Sequence, residues 1–484
     1  MMEESVSHQA ELEEQQSCNH PLEIGEEILV LVEERPVMLK IDSLLDEGGF
    51  SYVYKCLLRQ KNGESEGKEN KESKIVIMKV YKGGVGRSVH IISNEYFILK
   101  HLMNNKTAAG FVASIIGISS FFPNKIMNGG GSLISSKAKS AAVIPQFNAL
   151  IFPFYALNLH DVLSGQFKFI ANEMGSEEPK KCSYLPIPIK KIILKNLITA
   201  IAAIHAAGVL HLDLKLENIF LEFEEDPPIY NNIKFPTKIR IIDFNSSAMI
   251  NNNDELRRYC GTTAYLAPEI ILSMPLGRYT DLWALGVLIY EIISEGYLFE
   301  SHRFLSEDPM KKSSGYGDDI FSTSSKSRSR RFSAFKFRTS NCAEYPENYS
   351  LLRDFYMLLG PPPQTDFYEN FIGYYYNSKG EPLLHQGEMS KVDKDLSSKL
   401  AKECSNFGRL EEFFIKVRSL NSKNMINFNE ELDEIYKKNI DELGGKRKEF
   451  FDTAADIILS FLSYNSNTRR SIKFVLKKYE KFFE

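Results

Sequence analysis

His211-Leu212-Asp213-Leu214-Lys215-Leu216-Glu217-Asn218 puts a carboxylate, an ammonium and a carboxamide on one short leucine-framed stretch. The apolar run before it, 192–208, reads as a helix, and Ile219-Phe220-Leu221 after it reads as a short strand. A polar cluster held between two such elements can keep its side chains within catalytic tolerance. Asp213 can take a proton from a hydroxyl. Lys215 can stabilise negative charge on a transferring group, and Asn218 can offer a neutral oxygen to a metal ion.

Working outward, Ile239-Arg240-Ile241-Ile242-Asp243-Phe244-Asn245 reads as a strand ending in an acidic residue. A carboxylate at a strand end suits magnesium, which prefers oxygen ligands. Toward the N-terminus, Asp46-Glu47-Gly48-Gly49-Phe50-Ser51-Tyr52-Val53-Tyr54-Lys55 lies between two strand signals, and Val76-Ile77-Met78-Lys79 is a strand closed by a lysine. Glu95 sits in a helical pattern over 89–102, and Leu150-Ile151-Phe152-Pro153-Phe154-Tyr155 follows as another strand. Toward the C-terminus come Cys260-Gly261-Thr262-Thr263-Ala264-Tyr265-Leu266-Ala267-Pro268-Glu269, the apolar helix opened by Tyr279-Thr280-Asp281-Leu282-Trp283, and Asn467-Thr468-Arg469-Arg470-Ser471.

In this order the stretches resemble the eukaryotic-type serine/threonine protein kinases. His211 to Asn218 resembles the catalytic loop His-Arg-Asp-Leu-x-x-x-Asn, with Leu212 where arginine is usual. Asp46 to Lys55 resembles the glycine-rich loop with only Gly48 in register, Asp46 and Ser51 taking the outer glycine positions. Val76 to Lys79 resembles Val-Ala-Ile-Lys, with Ile77 for alanine, and Asp243-Phe244-Asn245 resembles Asp-Phe-Gly. Gly261 to Glu269 is similar to the close of an activation segment, which small-molecule kinases of related fold generally lack. Phe355 to Pro363 resembles a stretch of the cyclin-dependent and MAP kinases.

The resemblance implies an α+β, bilobal kinase fold with a β-rich small lobe and a mainly helical large lobe. It implies ATP- and magnesium-dependent transfer of the γ-phosphoryl group to serine or threonine of protein substrates. Asp213, Lys215 and Asn218 are then the catalytic residues, and Asn218 and Asp243 the magnesium ligands. Gly48, Val53, Lys79, Glu95, Phe154, Tyr155 and Phe220 are the nucleotide-binding set, with Glu95 paired to Lys79 and Phe152 at the gatekeeper position. Asp281 is expected to bond back to the catalytic-loop backbone, and Arg469 to pair with Glu269. Asn245 is expected to keep the local geometry through its tolerance of left-handed backbone. The alternative is a pseudokinase scaffold, suggested by Asp46, Ser51, Ile77, Leu212 and Asn245; none of these removes a residue of the chemistry.

The expected organisation is an acidic, flexible segment over 1–36, a small lobe over 37–154 with five strands and one helix, and a large lobe over 155–484. Polar insertions near 222–236 and 310–340 read as mobile sequence. The basic stretch Lys326-Ser327-Arg328-Ser329-Arg330-Arg331-Phe332-Ser333 reads as a solvated loop, with a phosphorylation site or a nuclear-import patch as alternatives. A net charge of -4 argues against bulk nucleic-acid binding. The 6 cysteines have neither metal nor disulfide spacing, which fits a reducing compartment. The polar N-terminus is unlike a secretory signal, and no apolar run approaches the roughly 18 residues of a membrane span. The expectation is a soluble intracellular protein of cytoplasm or nucleus.

Overall fold

The computed structural model describes residues 21–32, 35–48, 50–58, 74–82, 85–121, 147–165, 169–170, 181–182, 185–230, 232–250, 255–294, 296–299, 346–359, 450 and 453–483. They fall in two compact units. The first holds the described residues up to Lys100 and those of Ala113–Phe154.

Six antiparallel strands close into a barrel in this unit: β1 (Glu27–Val32), β2 (Arg35–Glu47), β3 (Ser51–Leu58), β4 (Lys74–Tyr81), β5 (Gly117–Phe121) and β6 (Phe147–Pro153), in the order β1-β2-β3-β4-β6-β5. Their inward residues alternate along each strand, as a pleated, one-sided core requires. Ile28, Val30, Leu39, Ile41, Tyr54, Cys56, Val76, Met78, Val80 and Ile151 fill the interior. Gly117 permits the closure of β5 on β1, because a Cβ there would lie 2.3 Å from the Leu31 carbonyl oxygen. Helix α1 (Val85–Asn104) follows β4 in sequence and buries Ile92, Glu95, Ile98 and Leu99.

The flexible segment expected over 1–36 does not hold for its described part, 27–32. β1 lies inside it and brings a sixth strand. Its signal was masked by the charges that flank it, although Ile28 and Val30 alternate with exposed Leu29 and Leu31.

The second unit contains His101–Val112 and the described residues from Tyr155 onward. It is mainly helical: α2 (Leu159–Leu163), α3 (Ile187–Ala206), α4 (Pro268–Ile271), α5 (Arg278–Ser294), α6 (Pro346–Leu359), α7 (453–461), α8 (Ile472–Lys478) and α9 (Glu480–Phe483). Every residue of α5 from Thr280 to Ser294 is buried, as its apolar composition on all sides demands. Trp283 is fully enclosed and meets Phe355 edge to face, ring centroids 4.5 Å apart.

The strands here are short and paired: β7 (Phe169–Ile170) with β8 (Lys181–Cys182), β9 (Val209–Leu210) with β14 (Ala248–Met249), β10 (Ile219–Glu222) with β13 (Lys238–Ile241), and β11 (Ile229–Tyr230) with β12 (Ile233–Lys234). The last pair corrects the expectation of mobile sequence at 222–236. It is a small hairpin that buries Ile233 and, completely, Phe235. The two apolar side chains supply the burial that the polar composition concealed.

The expected insertion at 310–340, its basic stretch, Gly360 to Pro363 and residues 1–20 lie outside the described residues.

Candidate functional site

The candidate residues form two groups, each inside one unit. In the first unit, Lys79 and Glu95 meet. Lys79 Nζ donates to Glu95 Oε1 at 3.0 Å and Oε2 at 2.9 Å, and both side chains are buried. Strand β4 carries the lysine and helix α1 the glutamate. A third residue joins them: the Tyr81 hydroxyl donates to Glu95 Oε2 at 2.5 Å. Sequence reasoning missed Tyr81. Its signal was the strand period, which puts residues 79 and 81 on one face.

Val53 stands directly opposite Lys79 in the β3–β4 register and is half-buried. Gly48 closes the β2–β3 turn, its N–H donating to the Ser51 carbonyl at 2.9 Å. Asp46 at the outer glycine position is exposed, and Ser51 is buried. Phe154 is 37% exposed at the end of that unit.

In the second unit, β9 leads into the loop and the 3-10 turn Leu216–Asn218 leads out of it into β10. Asp281, at the start of α5, holds the loop's entry. Its Oδ1 accepts the Leu212 N–H at 2.8 Å, and its Oδ2 accepts the His211 N–H at 2.9 Å. His205 Nε2 lies 2.8 Å from the same Oδ2. This is the bond to the loop backbone that the resemblance implied. His205 carried no local signal, since it is brought there only by the packing of α3 and α5.

Leu212 is buried with φ +63°, left-handed backbone that a leucine adopts only when its surroundings impose it. His211 stacks edge to face on Phe244, centroids 4.8 Å apart. Its Nε2 lies 3.0 Å from the Ile242 carbonyl, and its Nδ1 accepts the Asp213 N–H at 3.3 Å. The pattern calls for the proton on Nε2.

Asn218 is 4% exposed, and its Nδ2 donates to the Asp213 carbonyl at 2.8 Å. Pairing of β10 with β13 continues past Ile241, where the Ile242 N–H donates to the Asn218 carbonyl at 3.0 Å. Asn218 is thereby brought beside the start of Asp243-Phe244-Asn245. The left-handed residue in that triplet is Asp243, φ +64°, which corrects the role expected of Asn245. Asn245 instead buries its Oδ1 without a hydrogen-bond partner among the described residues.

The Asp213 carboxyl accepts the Thr262 hydroxyl at 2.8 Å. Burial pushes its pKa above the usual carboxylate range. Lys215 opposes that shift, and the negative charge of Asp243 adds to it. Asp213, Lys215 and Asp243 thus share one electrostatic environment. Tyr155 and Phe220 come together, ring centroids 6.0 Å apart.

Residues 159–337 match the family described as the protein kinase domain. The chain is similar to serine/threonine-protein kinase 17A of Oryctolagus cuniculus, 33% identical over 139 residues, which is 28% of this chain and 32% of the relative. It is similar to serine/threonine-protein kinase PRR1 of Saccharomyces cerevisiae, 34% identical over 116 residues and 22% of each chain. Serine/threonine-protein kinase D3 of Homo sapiens is 30% identical over 125 residues, 26% of this chain and 13% of the relative. The matched region thus spans about a third or less of these relatives.

Over residues 159–337 the chain is therefore similar to protein kinase domains. These relatives are serine/threonine-protein kinases, and they single out no subgroup. No described helix is long and apolar enough to cross a membrane.

Proposed function

We propose that this chain transfers the γ-phosphoryl group of ATP to serine or threonine side chains of proteins. The observation that carries the reading is the loop around Asp213. The carboxylate that would receive the hydroxyl proton is held by Thr262, and the carboxamide of Asn218 is held on the Asp213 carbonyl. Asp213 orients the acceptor hydroxyl and takes its proton. Lys215 neutralises charge on the migrating group. Lys79, held by Glu95, binds the α- and β-phosphates. Gly48, Val53, Phe154, Tyr155 and Phe220 contribute to nucleotide binding.

The donor set fits magnesium. Asp243 supplies a carboxylate and Asn218 an amide oxygen, both hard ligands of the kind the ion prefers. The bond from Asn218 Nδ2 to Asp213 fixes which way that amide faces. Magnesium, when bound, neutralises charge on the phosphates.

Radiolabel transfer from ATP to an arrayed peptide library, with and without magnesium, tests the reading. Magnesium-dependent labelling of serine or threonine peptides is expected. A chain that binds ATP and labels nothing, itself included, is a pseudokinase scaffold and ends it.

A further inference from the structure

We propose that the Tyr81 hydroxyl is a positioning group for Glu95 and, through it, for Lys79. The proposal rests on the reading of Lys79 as the phosphate-binding lysine.

Strand β4 sends Met78 and Val80 into the barrel core, so Lys79 and Tyr81 share the opposite face. Helix α1 brings Glu95 to that face, where the carboxylate is 1% exposed. Oε2 accepts two bonds of different kinds, from Lys79 Nζ at 2.9 Å and from Tyr81 at 2.5 Å. Lys79 Nζ also stands 5.6 Å from the centroid of the Tyr81 ring. The phenol therefore touches both partners of the ion pair.

An ammonium is a compact charge on a flexible stem and orients a carboxylate poorly. A phenol is different. It is a neutral donor on a rigid ring, and Tyr81 is fully buried on a strand. A hydroxyl buried this deeply is costly unless bonded, and this one is spent on Glu95. Phenylalanine would fill the same space without it. The hydroxyl sets the carboxylate's rotation, and the carboxylate sets the position of the lysine.

The test is Tyr81→Phe in the full chain, alone and with Glu95→Ala. Affinity for ATP–magnesium is titrated directly, and transfer is measured in parallel. We expect the Kd and the KM for ATP to rise about tenfold, the size of one hydrogen bond to a charged group, with kcat changed about twofold or less. In the Glu95→Ala background, Tyr81→Phe should have no further effect on affinity. Unchanged affinity, an undiminished loss in the Glu95→Ala background, or a Tyr81→Phe chain that no longer folds would each overturn the proposal. A wild-type chain that binds ATP without transferring phosphate would end the proposed activity and leave the affinity comparison decisive for Tyr81. A wild-type chain that binds no nucleotide would overturn both.

Discussion

Arg469 meets Glu269 across 200 residues of chain in two parallel bonds, Nη1 to Oε1 at 2.7 Å and Nη2 to Oε2 at 2.8 Å. The fork geometry matches guanidinium to carboxylate, and the arginine side chain is wholly enclosed. Its remaining donors go to the Ser463 and Tyr279 carbonyls, and its guanidinium lies 5.1 Å from the Trp283 ring centroid. The pair thus ties the end of the segment after Asp243 to α5 and to the turn before α8.

Removing either partner leaves a buried, uncompensated charge. Glu269→Ala and Arg469→Ala should each cost about 3–5 kcal/mol in urea unfolding. The double variant should cost less than their sum, because the second change removes the charge stranded by the first. Additive losses would mean that the two side chains do not act as a pair.

Asp213→Asn should separate chemistry from stability. Loss of a positioned base lowers transfer by roughly 10²–10⁴-fold. The native pKa of Asp213 is raised, chiefly by burial, so its ionised form is disfavoured in the fold. Stability linked to this group is full below the unfolded pKa and declines as pH rises through the native one. At neutral pH the Asp213→Asn chain should therefore melt no lower than wild type, and the difference should shrink on acidification. A large fall in Tm at neutral pH would make Asp213 a structural residue.

Asp281 titrates in the opposite sense. Burial pushes its carboxyl up, but the hydrogen bond and charge of His205, with the His211 backbone N–H, outweigh this and leave it below the usual value. Its stabilisation is present above the unfolded pKa and is lost as pH falls through the lower native one. Asp281→Asn should lower stability at neutral pH by about 1–3 kcal/mol and flatten the acid limb of the stability profile. It should also lower transfer, because the left-handed Leu212 loses its restraint. Urea unfolding at several pH values, with transfer assayed alongside, checks both.

Activity should not require phosphate on the segment from Asp243 to Glu269. The Leu212 side chain offers no donor to a phosphate, and contacts made without a phosphate already hold the described parts of the segment. Ser247 Oγ donates to the His211 carbonyl at 3.0 Å, Tyr259 to Asn348 at 2.9 Å, and Thr262 to Asp213 at 2.8 Å. The Arg258 guanidinium donates to the Ser246 carbonyl, and Arg257 Nη1 to that of Ser273 at 3.2 Å. Phosphatase-treated chain, assayed at early times, should match untreated chain. A large loss, recovered on rephosphorylation of Ser246, Ser247, Tyr259, Thr262 or Thr263, would show that another group replaces the missing arginine.

The ion pairs and the loop anchor were legible because their residues recur in a recognisable order: Lys79 with Glu95, Glu269 with Arg469, and Asp281 beneath the loop. Local pattern also found the strand after Asn218 and the buried helix around Trp283. It failed where composition hid burial. Glutamates around β1 concealed Ile28 and Val30, and a polar loop concealed Phe235.

Chain order and side-chain chemistry by themselves determined the family resemblance, the candidate residues and the reaction they could perform. They determined these because a carboxylate, an ammonium and a carboxamide at fixed spacing limit what a loop can do. Only the tertiary structure decided which groups meet and what those meetings do to them. Strand alternation and the docking of α1 put Tyr81 on Glu95. Strand pairing of β10 with β13 brought Asn218 beside Asp243. Burial raised the Asp213 pKa, while hydrogen bonding lowered that of Asp281. Desolvation and hydrogen-bond partners depend on neighbours distant in sequence, and folding alone supplies those neighbours.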